Sequence, residues 1–178
     1  PQHDPVDLGH ERDRQGHRDH DHHEPGDRAE REPQLTALER PGVHRIGLVD
    51  RPDAPSLFGA ATLAGGEGIG GIATSGWRGR SFSLGIADAV TILAASAAEA
   101  DAAATIVANA VDLPGHPAVT RRPARDIQHD NDLGDRLVTR DVGPLARSEI
   151  ETALGRGLRR AEDLAARGLI RAAALHLQ

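Results

Sequence analysis

Three polar side chains recur at four-residue spacing in the most regular stretch of the sequence: Asp101, Thr105 and Asn109. In a helix, this spacing places a carboxylate, a hydroxyl and an amide in one column on a single face. A carboxylate and a hydroxyl from adjacent turns are hard oxygen ligands of the kind that Mg²⁺ prefers, with waters and ligand phosphates completing its shell. The alternative is a helix face that hydrogen-bonds to a neighbouring loop. Asn109 is interpreted as structural.

The element that would carry this column is a helix that begins near Ser96. Ser96 and Glu99 have the Ser-x-x-Glu form of a capping box, and from Ala97 onward nearly all residues are small helix formers. The residues before it predict a strand at GIATSG, a Gly/Arg turn and a second strand. Residues 71–112 are therefore predicted to fold as strand, turn, strand and capped helix.

A second candidate site lies where the first of these strands ends in a tight turn. Its residues carry a hydroxyl or a guanidinium group, or are glycine: Thr74, Ser75, Gly76, Arg78 and Arg80. Backbone N–H donors and planar guanidinium groups together hold phosphate oxygens. The alternative is an ordinary hairpin whose arginines are solvated, and the spacing alone favours that alternative.

Two motifs of this stretch resemble signatures of the ApbE-like superfamily, the relatives of FAD:protein FMN transferases. GIATSG at 71–76 resembles its G-[VI]-A-T-S-G strand, and EADAAAT at 99–105 resembles its E-A-D-A-x-A-T helix. The run from about Arg45 to Gln178 resembles an uncharacterised branch of that superfamily more closely. The resemblance implies that Asp101 and Thr105 bind Mg²⁺ and that the strand end, with its arginines, contacts the FAD nucleotide.

The function that this resemblance implies is binding of a flavin nucleotide with Mg²⁺, related to transfer of FMN onto a protein Thr or Ser. FMN transferases, however, have a His and an Asp-Pro-x-Thr-Gly turn that residues 81–94 lack. The alternative is a non-catalytic ligand-binding or oligomer-forming domain that kept the fold and lost the chemistry. No catalytic residue is assigned, and Asp88 is interpreted as the start of the second strand rather than as a further metal ligand.

Charge and histidine are concentrated in residues 1–42. This segment holds 11 acidic residues, 6 arginines and six of the ten histidines, so it carries −5 of the net charge of −6. Its few apolar side chains cannot offset the entropy of ordering the backbone, about 1–2 kcal/mol per residue. We therefore predict a disordered or poorly packed tail at 1–42 and a folded domain at 43–178. The histidines could bind Zn²⁺, Ni²⁺ or Cu²⁺, although a polar tail with adventitious affinity is the favoured interpretation.

The composition limits the class of protein. There is no cysteine, and hence no disulfide framework or thiolate zinc site. No apolar run approaches the roughly 20 residues of a membrane span, and the polar start does not resemble a signal peptide. We expect a soluble, cytoplasmic protein with neither a nucleic-acid nor a membrane partner, while formation of a homo-oligomer stays open. Relatives by resemblance have a longer N-terminal half, which suggests a truncated or frame-shifted form of a longer protein.

The remaining segments predict an α+β fold. Strands are expected at 45–50, 59–63, 137–139 and 169–178, and a capping box at 148–151 opens a helix that ends at Gly168. The Gly-rich run 65–71 is interpreted as a hairpin loop, because a strand rather than a helix follows it. The arginines and acidic residues of 121–135 are interpreted as a solvated connection, and the alternative is phosphate binding by Arg121, Arg122 and Arg125. The expected architecture has two layers, a mixed or antiparallel sheet with helices on one face, incomplete relative to the ApbE-like fold (T-fold type).

Overall fold

The computed structural model describes residues 42–49 and 57–178. The predicted tail, apart from Gly42, lies outside these residues, and so does the interpretation of its histidines. Seven strands, two helices and one short 3-10 helix follow in this order: β1 Val43–Val49, β2 Leu57–Ala64, β3 Gly71–Ser75, β4 Ala89–Ala94, α1 Ala97–Ala110, β5 Val119–Pro123, the 3-10 helix Ala124–Asp126, β6 Leu137–Val142, α2 Arg147–Ala166 and β7 Ala172–His176.

The strands form three small sheets rather than one. β1 pairs with β2, β4 lies between β3 and β7, and β5 pairs with β6, all antiparallel. The prediction of an α+β fold with antiparallel strands is confirmed, but the prediction that the strands form one sheet is wrong. The Gly-rich loop explains the difference, because it does not close a hairpin. It leads from β2 to a strand of another sheet, and Gly66 and Gly68 adopt φ values of 93° and 69° there.

Alanine residues let α1 approach the sheet formed by β3, β4 and β7 closely. The five buried residues of α1 recur at helical spacing on one face: Ala100, Ala103, Ala104, Val107 and Ala108. β4 is buried along its whole length. A Cβ added to Gly71, the first residue of β3, would lie 2.2 Å from the carbonyl oxygen of Ser96. The start of β3 therefore lies directly against the start of α1, and this contact fixes the helix relative to the strand.

The predicted cap of α1 is confirmed. Ser96 is the N-cap residue, and its Oγ accepts a hydrogen bond from the Glu99 N–H at 3.3 Å. The hydroxyl in turn donates to Glu99 Oε2 at 3.0 Å. The side chains of Ser96 and Glu99 thus hold each other, which fixes the first turn of the helix.

α2 follows the prediction in its end but not in its start. It begins at Arg147 after the N-cap Ala146, so Ser148 lies inside the helix. Glu149 caps it, because its Oε2 accepts the Ala146 N–H at 2.7 Å. Gly168, with a φ of 73°, ends the helix as predicted.

Small residues also bring α2 into contact with the core. Its buried face consists of Ala153, Gly157, Ala161 and Leu164, whereas Leu158 is 51% exposed. A Cβ added at Gly157 would lie 2.3 Å from Cγ2 of Val111, at the C-cap of α1. Three of the four buried residues are alanine or glycine, so the helix approaches the core closely along most of this face.

The segment interpreted as a solvated connection contains a strand that the sequence did not predict. β5 pairs with β6, and two arginines of this segment form ion pairs, Arg121 of β5 with Asp112 and Arg125 of the 3-10 helix with Asp135. Arg121 and Arg122 are adjacent and Pro123 ends the strand, so no alternation of apolar and polar residues marked it in the sequence. Neither helix of the described residues is long and apolar enough to cross a membrane.

Candidate functional site

Six of the seven predicted site residues line one cavity of about 250 Å³. These residues are Thr74, Ser75, Gly76, Arg80, Asp101 and Thr105, and the lining is completed by Gly79 and Ser81. We call this space the β3–α1 cavity. The strand end and the helix column, which we expected to bind one flavin nucleotide with Mg²⁺, therefore line the same space.

Backbone and core contacts fix the strand side of the β3–α1 cavity. Thr74 pairs with Thr91 of the buried strand β4, and their hydroxyl oxygens lie 2.8 Å apart. Gly76 is buried, and a Cβ there would lie 2.2 Å from the carbonyl oxygen of Asp88. Only glycine allows this close approach, so the strand ends in a position that the core determines.

The polar groups of the helix side remain available to a ligand. Asp101 and Thr105 are exposed, and the side chain of neither forms a hydrogen bond or ion pair with another described residue. Arg80 is also exposed and has no acidic partner among the described residues. The cavity thus presents one carboxylate, one guanidinium group and several hydroxyls that the fold itself does not use.

Asn109 has a different role from the other two members of its column. Its Oδ1 accepts hydrogen bonds from the Leu84 N–H at 2.9 Å and from Ser83 Oγ at 3.2 Å. Ser83 is buried, so these bonds satisfy donors that water cannot reach easily. The interpretation of Asn109 as structural is borne out.

Arg78 does not line the β3–α1 cavity. Residues 76–79 form a turn that is closed by a bond from the Gly79 N–H to the Gly76 carbonyl oxygen at 3.1 Å. Arg78 lines a second cavity of about 280 Å³ together with Trp77, Gly79 and Arg140, which we call the Trp77 cavity. Arg78 and Arg80 are two positions apart, yet they line different cavities, and only Gly79 belongs to both.

Asp88 has a structural role beside the site that the sequence analysis did not recognise. β4 begins at Ala89, one residue after the predicted start, and the Asp88 side chain is buried and accepts three hydrogen bonds. The donors are Arg78 Nε at 2.8 Å, the Gln178 N–H at 2.9 Å and Trp77 Nε1 at 3.2 Å. A single carboxylate within the apolar run 86–94 was the available signal, because buried charges require partners.

The side chains of the β3–α1 cavity fit Mg²⁺ only if the ligand supplies part of its coordination shell. Among residues 42–49 and 57–178, no group of three or more His, Asp or Glu side chains could hold a metal ion. Asp101 and Thr105 supply one carboxylate and one hydroxyl. Mg²⁺ is usually held by one or two carboxylates together with substrate phosphates and waters, so the residues fit a phosphate-bridged ion.

The same lining fits the phosphates of FAD rather than its ring. All eight lining residues are polar, charged or glycine, and none is aromatic. A flavin ring is planar and apolar on its faces, and binding sites for such groups are mostly lined by apolar and aromatic side chains. The cavity therefore suits a diphosphate, whereas the ring would lie beyond it.

The family of the chain follows from a comparison with protein-family models. The model of the family described as AbpE bacteria matches residues 37–178, and the chain belongs to this family. No curated protein and no solved structure matches the chain. Membership of the family does not by itself give a specific function.

This match corrects the resemblance that we drew from two motifs. The family found is AbpE bacteria over residues 37–178, not the FMN transferases, so the identification as an ApbE-like relative is wrong. The EADAAAT motif consists mostly of residues that any capped, Ala-rich helix would contain, and GIATSG is only six residues long. Both motifs are too short to identify a superfamily.

Proposed function

We propose that this member of the AbpE bacteria family binds the phosphate groups of a nucleotide together with Mg²⁺ in the β3–α1 cavity. Among nucleotides we propose FAD as the first candidate, because its diphosphate suits the polar lining of the cavity. One observation carries the proposal: Asp101 and Thr105 of the helix and residues 74–76 of the strand end line the same cavity. These are the ligand types for a hard cation on one wall and for phosphate oxygens on the other.

Each group has a distinct part in this proposal. Asp101 and Thr105 would hold Mg²⁺, which would neutralise negative charge on the diphosphate. Arg80 would pair with phosphate oxygens, because a guanidinium group donates two parallel hydrogen bonds to such an anion. The hydroxyls of Ser75 and Ser81 are further donors on the cavity wall.

The proposal is limited to binding. The lining of the cavity contains a single carboxylate, Asp101, and no histidine. A transfer reaction benefits from a positioned base near the proton that moves, and if Asp101 holds the metal it is not free for that role. The geometry therefore supports a Mg²⁺-dependent nucleotide-binding protein.

Titration calorimetry with FAD tests the proposal directly. We expect FAD to bind in the presence of Mg²⁺, and EDTA to weaken binding by at least about tenfold, because an unshielded diphosphate would face the Asp101 carboxylate. FMN and ADP are compared in parallel, since only the latter shares the diphosphate. Similar binding of FAD and ADP would assign the cavity to the diphosphate.

The variant Asp101→Asn isolates the metal. It should lose the Mg²⁺ dependence, while Asp163→Asn, an exposed aspartate on α2, should behave as the unchanged protein. The absence of FAD and ADP binding, or equal binding with EDTA, would show that the proposal is wrong. Circular dichroism of both variants checks that the fold is kept.

A further inference from the structure

The Trp77 cavity is positively charged on two sides. Arg78 lies on the turn 76–79 and Arg140 on β6, and both line the same space of about 280 Å³. Arg140 is exposed and has no acidic partner among the described residues. Guanidinium groups from two different elements thus face one space, and the charge of Arg140 has no counter-ion there, which favours binding of an anion.

Arg78 is held in place by groups that leave its outer nitrogens available. Its Nε donates to the buried Asp88 carboxylate at 2.8 Å, and its guanidinium carbon lies 4.3 Å from the centroid of the Trp77 ring. Within the described residues, its Nη nitrogens form no hydrogen bond. A guanidinium group that is fixed through Nε and by a ring face loses little further entropy when its Nη nitrogens bind an oxyanion.

The charges around the Trp77 cavity indicate which ligands it can bind. Asp88 neutralises the positive charge of Arg78. Arg140 therefore supplies the net positive charge of the cavity, and the Nη nitrogens of Arg78 supply hydrogen-bond donors. The only other side chain of the lining is Trp77. A tetrahedral anion with several acceptor oxygens matches this set, because each guanidinium group can bind two of its oxygens.

We propose that the Trp77 cavity is a second anion site, which binds a phosphate group between Arg78 and Arg140. Asp88 is its positioning residue, because it fixes Arg78 without lining the cavity. The site does not require Mg²⁺ or Asp101. Its phosphate is either free or part of a ligand that also enters the β3–α1 cavity on the other side of Gly79.

Trp77 makes the proposal measurable, since it is the only tryptophan of the chain. Inorganic phosphate is titrated in EDTA while the tryptophan emission is recorded. We expect a saturable change in emission, and a weaker apparent affinity at higher salt because exposed charge interactions are screened. EDTA removes the metal, so a failure of Mg²⁺ binding in the other cavity does not affect this result.

Arg140→Gln tests the site, and Arg159→Gln on α2 is the matched control. Arg140→Gln should weaken phosphate binding by at least about tenfold, because it removes charge-assisted hydrogen bonds, whereas Arg159→Gln should not. A titration of FAD with Mg²⁺ then separates the sources. A parallel loss of FAD affinity in Arg140→Gln assigns the phosphate to the nucleotide, and an unchanged FAD affinity assigns it to a free anion.

Two results would overturn the proposal. One is an emission that phosphate does not change at millimolar concentration, and the other is equal phosphate affinity in Arg140→Gln and the unchanged protein. Because Arg140 is exposed on a strand, the substitution should leave the fold intact, and circular dichroism verifies this.

Discussion

The Nε nitrogen of Arg78 lies 2.8 Å from Oδ1 of Asp88, whose side chain is only 1% exposed. The same carboxylate accepts hydrogen bonds from Trp77 Nε1 and from the Gln178 N–H. Asp88 therefore joins the turn 76–79, the start of β4 and the residues that follow β7. Loss of its charge would affect three segments at once.

Asp88→Asn should lower the free energy of unfolding by about 2–3 kcal/mol, because breaking a buried ion pair leaves Arg78 uncompensated; the partial exposure of Arg78 reduces the full penalty. Urea denaturation measures the change. Asp141→Asn, at an exposed aspartate of β6, is the control and should change stability by less than about 0.5 kcal/mol. Equal stabilities of the two variants would contradict the assigned role of Asp88.

Two glycines of α2 should respond to alanine in opposite directions. Gly157→Ala should destabilise the protein by about 1–3 kcal/mol, since the new Cβ would lie 2.3 Å from Val111 Cγ2. Gly155→Ala should stabilise it by about 0.5–1 kcal/mol, because the new Cβ would meet only the flexible end of Arg159 and alanine favours helix. Thermal unfolding of both variants tests the packing of α2, and a stabilising Gly157→Ala would show that the packing is looser than described.

The polar column of α1 should divide into binding and structural residues. Asn109→Ala should cost about 1–3 kcal/mol of stability, because the Leu84 N–H loses its acceptor and the Ser83 hydroxyl loses one of two. Asp101→Asn should leave stability within about 0.5 kcal/mol, since the side chain is exposed and unbonded. Denaturation and Mg²⁺-dependent FAD titration of both variants are compared. A large loss of stability in Asp101→Asn would instead assign Asp101 to the fold.

Glu149 should make stability depend on pH in the acid range. Its pKa is held below the usual 4.5, first by the hydrogen bond from the Ala146 N–H and then by the one with His116 at 2.8 Å. A depressed pKa in the folded state stabilises the protein above pH 4.5, and this contribution is lost as the pH falls from there through the folded-state pKa.

Glu149→Gln tests this dependence. The difference in urea midpoint between the unchanged protein and this variant should be constant at neutral pH and should shrink as the pH falls below about 4.5. Glu162→Gln, at an exposed residue of the same helix, serves as the control. A difference that stays constant down to acid pH would show that Glu149 does not contribute in this way.

The sequence predicted what is encoded locally. The cap at Ser96 and the stop at Gly168 each depend on a few neighbouring residues, and both are found in the structure. The strand β3 was also predicted, and its hydroxyl-bearing end lines one cavity together with Asp101 and Thr105 of α1. Sheet membership could not be predicted, because pairing of β4 with β7 joins residues about eighty positions apart, and no local pattern specifies such a partner.

For the candidate site, the sequence predicted the residues whose positions depend on a single strand end or a single helix face. Arg78 was assigned to the same site as Arg80, but the bond that closes the turn 76–79 directs the two to different cavities. The role of Asp88 depends in part on Gln178, ninety positions away, and this partner could not be inferred from neighbouring residues. Arg140 was not recognised for the same reason, since it reaches the site from β6.

Gly79 has a consequence for any pair of ligands that this protein binds. Its backbone is the shared wall of the two cavities, so displacement of that peptide by an occupant of one side changes the shape presented to the other. Thermodynamic linkage then requires reciprocity: a nucleotide that tightens the hold on phosphate is itself held more tightly by the same factor once phosphate is bound. The turn 76–79 would thus couple the two binding equilibria.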